Sequence, residues 1–375
     1  MKKHVLILGA GFAGLELATR LSESLADEVR VTLLDQNESF SFGFSKLAVM
    51  FGRRSAAEVQ LSYRDIRKEG VEFRRERVTA IDPEERRVTT DRGSYEADFL
   101  VVALGADYDL AATPGFDEYG FEYYSIAGAE RTRDVLPEFD SGRIVIGILG
   151  QPFKCPPAPF EAALLLHDAL VERGAREAAD VRVIGPMAAP VPVTNEVSRS
   201  ILGALEDRGI EYVPKQLVAE LGGGKAHLAS GGSVLYDLFI GIPVHRVPDV
   251  VESCGLAVDG WVPVDHTNLR TRFPGVYALG DVAGAPVAKA GVFAEAAARV
   301  VADDVAARLH GGQLERPYEG AGSCYVEFGG GMVGKIEANF LAGPTPTARL
   351  IGPSHELAAD KQAFAATRRK RWFGS

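Results

Sequence analysis

The stretch Val5-Leu6-Ile7-Leu8-Gly9-Ala10-Gly11-Phe12-Ala13-Gly14, with Asp35 downstream, decides the fold. Val5 to Leu8 is an unbroken apolar run, as a parallel strand buried on both faces requires. The three glycines have separate uses: Gly9 permits a tight turn, Gly11 lets a pyrophosphate approach the backbone, and Gly14 allows helix to pack on strand. Leu15, Leu17, Ala18 and Leu21 carry the apolar period of a helix. A second apolar run over 29–34 ends at Asp35, about 20 residues on, where a carboxylate accepts hydrogen bonds from a ribose. A lone glycine motif is a weak signal. Strand, glycines, helix, strand and acid in that order specify a dinucleotide site, with Phe12 and Ala13 in its wall.

A second β-α-β unit begins at Ile144, where the chain reads IVIGILGQPFKCPPAPFE to Glu161. A buried strand (144–148) runs into Gly147 and Gly150, and a helix is expected over 161–172. Where a second fingerprint would offer N–H groups to a phosphate stand Cys155, Pro156, Pro157 and Pro159, and proline has no N–H to give. The turn is rebuilt around a thiol. That thiol is either redox-active beside a cofactor or a buried structural residue. The unit's next strand (181–184) ends in Gly185-Pro186, with no carboxylate for a ribose, so a nicotinamide dinucleotide is not expected here.

Val276-Tyr277-Ala278-Leu279-Gly280-Asp281 is an apolar strand ending in Gly-Asp, followed by an Ala/Val-rich helix over 294–307. Asp281 can bind a ribityl hydroxyl or simply cap its turn. Lys289, Ala290 and Gly291 can bring an ammonium and helix N-terminal amides to a flavin's pyrimidine edge. Ala103 and Gly105, at the end of the buried 99–105 strand, and Val78, among the short strands before it, complete the expected cofactor contacts. The expected organisation is an α/β chain with a discontinuous cofactor domain (1–107 and 261–310), a second Rossmann-like domain with a degenerate site (108–260), and a C-terminal segment (311–375).

Composition agrees with an enzyme-sized globular chain, 375 residues with 46% hydrophobic and 25% charged side chains. A net charge of −10 speaks against a nucleic-acid partner. No run approaches the length of a membrane span, and Met1-Lys2-Lys3 opens the first strand at once, so a cytoplasmic protein is expected. No metal site is expected. Three cysteines are too few for a disulfide scaffold. Cys254 reads as packing at a helix end capped by Gly255. Cys324 lies between small residues in GSCYVEFGGG, which suits close backbone approach; spacing alone does not show that it meets Cys155.

GAGFAG, Asp35, VVALGA and YALGD together resemble the two-dinucleotide-binding-domain flavoproteins. Within that group PFKCPPAPFE and GSCYVEF are similar to the sulfide:quinone oxidoreductases and the flavoprotein subunit of flavocytochrome c sulfide dehydrogenase. The resemblance covers nearly the whole chain. It implies FAD, two Rossmann-like domains, a Cys155–Cys324 disulfide at the flavin, and Glu161 as a proton-handling group. Sulfide or a related sulfur species would attack the disulfide, leave a persulfide on Cys155, and send electrons through Cys324 and FAD to a quinone or other acceptor. Tyr325, Phe328 and Phe340 would line an acceptor pocket or belong to the core.

Two departures stand out. The third reactive cysteine of many quinone-reducing members is missing, and Phe121–Glu130 occupies its region. The secretion signal and attachment cysteine of the cytochrome-coupled members are missing too, so FAD is expected to be non-covalent. Lys361–Phe373, KQAFAATRRKRWF, sets aromatics beside cations. It reads either as a peripheral contact with the inner face of a membrane or as a packed terminal helix. The alternatives to sulfide oxidation are a pyridine-nucleotide-linked flavoenzyme, of the type II NADH dehydrogenase or coenzyme A disulfide reductase kind, and a non-catalytic electron carrier.

Overall fold

The computed structural model describes residues 2–374. Its first sheet is five-stranded and parallel, in the order Val276–Ala278, Phe99–Val102, Lys3–Leu8, Val29–Asp35, Val71–Arg75. Lys3–Leu8 is central, and every residue after Lys3 in it is buried, which is why Val5 to Leu8 is an unbroken apolar run. Val276–Ala278 pairs with Phe99–Val102, so the chain returns to its first domain after the second is built. Helices Phe12–Leu25 and Gly291–Leu309 pack on each other against this sheet.

The second sheet is four-stranded and parallel, in the order Ile210–Pro214, Ala179–Gly185, Gly142–Ile148, Leu238–Ile242. Each unit carries a three-stranded antiparallel meander, Val78–Asp82 with Arg87–Thr90 and Ser94–Glu96 in the first, Val218–Gly222 with Lys225–Leu228 and Ser233–Leu235 in the second. The plan is duplicated. The helix expected from Glu161 starts earlier and spans Ala158–Glu172, with Pro157 at its N-cap and Pro159 in its first turn. Proline is tolerated there because the first N–H groups of a helix have no partner inside it.

The C-terminal segment is a three-stranded antiparallel sheet, Ala321–Gly329, Met332–Asn339 and Thr347–Ser354, followed by the helix Glu356–Phe373. The glycine triplet makes the first hairpin turn, with φ of 77°, 58° and 73° at Gly329, Gly330 and Gly331.

The terminal helix packs against the protein, as the second of its two readings expects. Trp372 is fully buried and Phe373 nearly so. The indole lies edge-on to Phe12 and Phe40 at 5.5 and 5.6 Å, and its Nε1 donates to Glu16 at 2.9 Å. Arg371 binds Glu16 at 2.8 Å and Glu23 at 2.9 Å, and Arg368 binds Glu295 at 2.9 Å. Trp372 and Phe373 are therefore inside, Phe364 is half-buried, and of the four consecutive cations only Arg369 and Lys370 are exposed. Glu16, buried in the first helix, supplies the acceptor that draws the helix in. Among the described residues no helix is long and apolar enough to cross a membrane.

Truncating a buried tryptophan costs about 3–5 kcal/mol. Trp372→Ala is expected to lower stability by about that amount, with the indole's bond to Glu16 lost as well, measured as the shift of the urea midpoint at constant m. Unchanged stability would mean that the helix does not dock in solution.

Candidate active site

One cavity of about 930 Å³ runs from the glycine fingerprint to the two cysteines. At the fingerprint end the backbone explains each glycine. Gly9 has φ +99°, and a Cβ there would stand 2.3 Å from the Ala103 carbonyl oxygen. A Cβ on Gly14 would stand 1.9 Å from the Gly9 oxygen; this glycine serves packing and does not line the cavity. A Cβ on Gly11 would meet nothing within 4 Å. Gly11 is the N-cap of the first helix, with no side chain capping it, and it faces the cavity. That open cradle at a helix N-terminus fits a pyrophosphate.

Asp35 also lines the cavity. Its carboxylate accepts N–H groups from Ala10 and Asn37 at 2.8 and 2.9 Å and the Asn37 side-chain amide at 2.9 Å, which fixes it as an acceptor at the end of its strand. Phe12, Ala13, Val78, Ala103 and Gly105 form the adjoining wall, and Gly280, Asp281, Ala290 and Gly291 close it from the returning segment. A Cβ on Gly291 would stand 2.6 Å from the Phe12 ring, so this glycine lets the returning helix sit on the fingerprint. The Lys289 ammonium is turned onto the Asp281 carbonyl at 2.6 Å and over the Trp261 ring at 3.3 Å. Burial pulls its pKa down to about 8.

At the other end Cys155 has φ +54°, a left-handed conformation uncommon outside glycine. Its N–H donates to the Lys289 carbonyl at 2.7 Å, so the second unit's turn is hydrogen-bonded to the first unit's cofactor loop. Cys324 reaches the same cavity from the strand Ala321–Gly329. The two are unlinked thiols. Burial pushes Cys155 well above the usual thiol range, with Cys324 and then Glu161 adding to it. Burial, aided by Glu161, pushes Cys324 to about 12.

Glu161 lies in the first turn of the helix Ala158–Glu172, only 1% exposed, and lines the cavity. It accepts the Glu327 N–H at 3.0 Å and the Lys361 ammonium at 3.2 Å. Burial holds its carboxyl above the usual range although Lys361 opposes this. Lys361 binds Glu327 as well, at 2.6 Å. Burial works against its charge, but the two glutamates prevail and its pKa is raised.

Several site residues escape a reading of the sequence. Lys154, next to Cys155, donates to Ala106 at 2.7 Å and Tyr108 at 3.2 Å; its adjacency to the thiol is a usable signal. The stretch Phe121–Glu130 contributes Tyr123 and Tyr124, whose hydroxyls donate to Ala158 at 3.0 Å and Lys154 at 2.8 Å. His245 accepts the Lys154 N–H at 3.3 Å; burial and then Lys154 pull its pKa to about 3, so it is neutral at ordinary pH. Lys361 and Glu327 carry no signal. Of the three aromatics named for an acceptor pocket, only Tyr325 lines the cavity, beside Phe44 and Phe364. Phe328 is core and Phe340 packs on Phe293 at 5.2 Å. Cys254 donates to Val251 at 3.2 Å and packs, with Gly255 next in the chain at φ +73°.

The pyridine nucleotide-disulphide oxidoreductase family model matches residues 3–300. The chain is 25% identical to the mitochondrial sulfide:quinone oxidoreductase of Mus musculus over 370 residues, 92% of this chain and 80% of that one. It is 29% identical to the type II NADH:quinone oxidoreductase of Staphylococcus aureus over 267 residues, 62% of this chain and 64% of that one. In fold it is similar to the sulfide:quinone oxidoreductase of Aquifex aeolicus, with TM-score 0.88 and 23% identity over 98% of this chain and 92% of that one. The open cradle, the acid beyond it and the family match agree: the chain belongs to the pyridine nucleotide-disulphide oxidoreductase family and is an FAD-binding oxidoreductase.

Proposed function

We propose that this protein oxidises sulfide, or a closely related small sulfur species, at the Cys155–Cys324 pair and passes the electrons to a quinone or other acceptor. One observation carries the reading: two cysteines distant in sequence line the same cavity as the dinucleotide fingerprint, with Glu161 beside them. The names and coverage of the mouse and Aquifex relatives support it.

The N–H groups after Gly11 would take the FAD pyrophosphate, Asp35 a ribose, and Asp281 a ribityl hydroxyl, all without a covalent link. FAD, when bound, takes up an electron pair from the sulfur chemistry and releases it to the second substrate. The cysteines do the sulfur chemistry from their disulfide form. Hydrosulfide attacks Cys155, a sulfur–sulfur bond forms there, the Cys155–Cys324 bond breaks, and its electron pair stays on the Cys324 sulfur. The sum is HS⁻ plus disulfide giving a Cys155 persulfide and a Cys324 thiolate. Glu161, facing both sulfurs, takes the proton that a neutral donor or thiol must lose. Phe44, Tyr325 and Phe364 offer an apolar wall for the acceptor.

The NADH-linked reading has the Staphylococcus similarity in its favour. Against it stand the prolines of the Cys155 turn and Gly147, whose small space is taken by Phe239: a Cβ there would stand 2.3 Å from that ring. The glycines of this strand serve packing.

The purified protein is expected to be yellow and to release FAD on acid precipitation. Gly11→Val fills the cradle and is expected to abolish FAD retention, read as the 450 nm absorbance per chain. Flavin that stays with the denatured chain would defeat the non-covalent assignment.

In stopped flow, sulfide is expected to bleach the flavin faster than NADH or NADPH does. Cys155→Ser and Cys324→Ser are each expected to keep FAD and lose sulfide-driven bleaching by roughly 10³-fold or more, the scale of deleting a nucleophile or its partner. Cys254→Ser is expected to change nothing. NADH reduction at about 10 s⁻¹, ordinary for an enzyme, would favour the rival.

The raised thiol pKa values predict a pH dependence for the reduced protein. Only thiolate reacts, so iodoacetamide labelling of Cys155 and Cys324 is expected to be slow at pH 8 and to climb about tenfold per unit above it. Glu161→Gln removes a negative charge facing both thiols, lowers both pKa values and is expected to move the profile to lower pH, tracked by mass spectrometry of each cysteine peptide. A profile unmoved by Glu161→Gln would separate that carboxylate from the thiols.

A further inference from the structure

A proton must leave a buried pocket whenever H₂S is oxidised: H₂S gives zero-valent sulfur, two protons and an electron pair, and a flavin reduced to its anion keeps one of the two protons. The pair goes to FAD, and the sulfur leaves as a persulfide on an attacking thiol or second sulfide. Glu161 can receive a proton but, at 1% exposed, cannot release it to water. We propose that Glu161, Lys361 and Glu327 form the path by which the remaining proton leaves, with Lys361 both positioning Glu161 and passing the proton to Glu327. The proposal rests on the sulfur reading above and extends it to two residues of the C-terminal segment.

The geometry is a continuous line. Lys361 Nζ bridges Glu161 at 3.2 Å and Glu327 at 2.6 Å. Side-chain exposure rises along it, from 2% at Glu161 and 10% at Lys361 to 28% at Glu327. Glu327 then meets Arg53 at 3.5 Å, and Arg53 is 41% exposed. Each group comes from a different element: Glu161 from the helix behind Cys155, Glu327 from the strand of Cys324, Lys361 from the terminal helix. The other titratable or charged groups facing the line are Cys155, Cys324, Tyr123 and Tyr124 at its inner end and Arg53 at its outer end, while the Phe44 ring covers the Lys361 ammonium at 5.2 Å.

Transfer along the line creates no new charge. Lys361 gives one ammonium proton to Glu327 as it takes one from protonated Glu161, so it is an ammonium before and after. Glu327 then releases the proton to water. A clamp for stability alone is a poor explanation, because a buried ion pair adds little net stability over apolar packing.

The test uses the FAD-loaded protein in stopped flow with sulfide, pH 6 to 9, in H₂O and D₂O, alongside thiol labelling of the reduced protein. Glu327→Gln keeps a hydrogen-bond acceptor for Lys361 but accepts no proton. It is expected to slow flavin bleaching about tenfold, as loss of general acid–base assistance does at the low end of its range, and to enlarge the solvent isotope effect at unchanged FAD content and Tm. Lys361→Arg keeps the charge but holds its proton. It is expected to retain the native labelling profile while bleaching slowly. Lys361→Gln is expected to bleach slowly and to move labelling of Cys155 to higher pH. Native bleaching rates and isotope effects in Glu327→Gln and Lys361→Arg overturn the relay. If sulfide fails to bleach the native flavin, the sulfur reading falls and the relay with it, whereas an unmoved labelling profile in Lys361→Gln overturns the positioning role by itself.

Discussion

The hydrogen bond from the Cys155 N–H to the Lys289 carbonyl, 2.7 Å long, is the constraint on which the site depends. Cys155 belongs to the second unit and Lys289 to the cofactor loop of the first. The residue before it repeats the crossing, since the Lys154 ammonium reaches the Ala106 carbonyl at 2.7 Å. A thiol on a free turn would sample many positions relative to the fingerprint. Here the turn is held on both sides, its φ is +54°, and Pro156 and Pro157 stiffen the backbone between the thiol and the helix. Chemistry that needs a sulfur within bonding reach of a partner gains most from such pre-positioning.

The cavity's electrostatics arise from burial. Both thiols are pushed up chiefly by burial, and Glu161 is pushed up by the same cause. A lone buried carboxylate would be neutral. Lys361 opposes that shift from 3.2 Å, and Glu327 shares the ammonium. Burial and the paired charge pull in opposite directions on this carboxyl, and burial prevails. The His245 ring beside Lys154 lacks such a partner carboxylate and is left neutral by its surroundings.

Much of the fold is legible in the sequence because its signals are local. A strand buried on both faces must be apolar throughout, as Val5–Leu8 and Phe99–Val102 are. Gly9 and Gly14 answer to backbone contacts that any fingerprint turn makes. The start of the helix at Ala158 is less legible, because prolines suggest a loop, whereas a helix's first turn tolerates them. Lys361 and Glu327 are invisible for a different reason. Their meaning lies in each other and in Glu161, and no local pattern marks a lysine that will be buried against two distant acids.

The terminal helix shows where the pattern itself can decide. A helix lying on a membrane puts its cations on the polar face and its aromatics on the opposite one. Lys361, Phe364, Arg368, Arg371 and Trp372 fall at i, i+3, i+7, i+10 and i+11, which places cations and aromatics on one face. That arrangement suits a protein surface offering acids and rings together. It finds Glu161 on the helix behind Cys155, Glu295 on the helix after Gly291, and Glu16 on the fingerprint helix, while Phe364 lines the cavity and Trp372 meets Phe12. Each of the three helices that shape the cavity is thus bound to the terminal helix through one buried acid. The terminal helix thereby ties together the same two units that the Cys155–Lys289 bond joins at the thiol end.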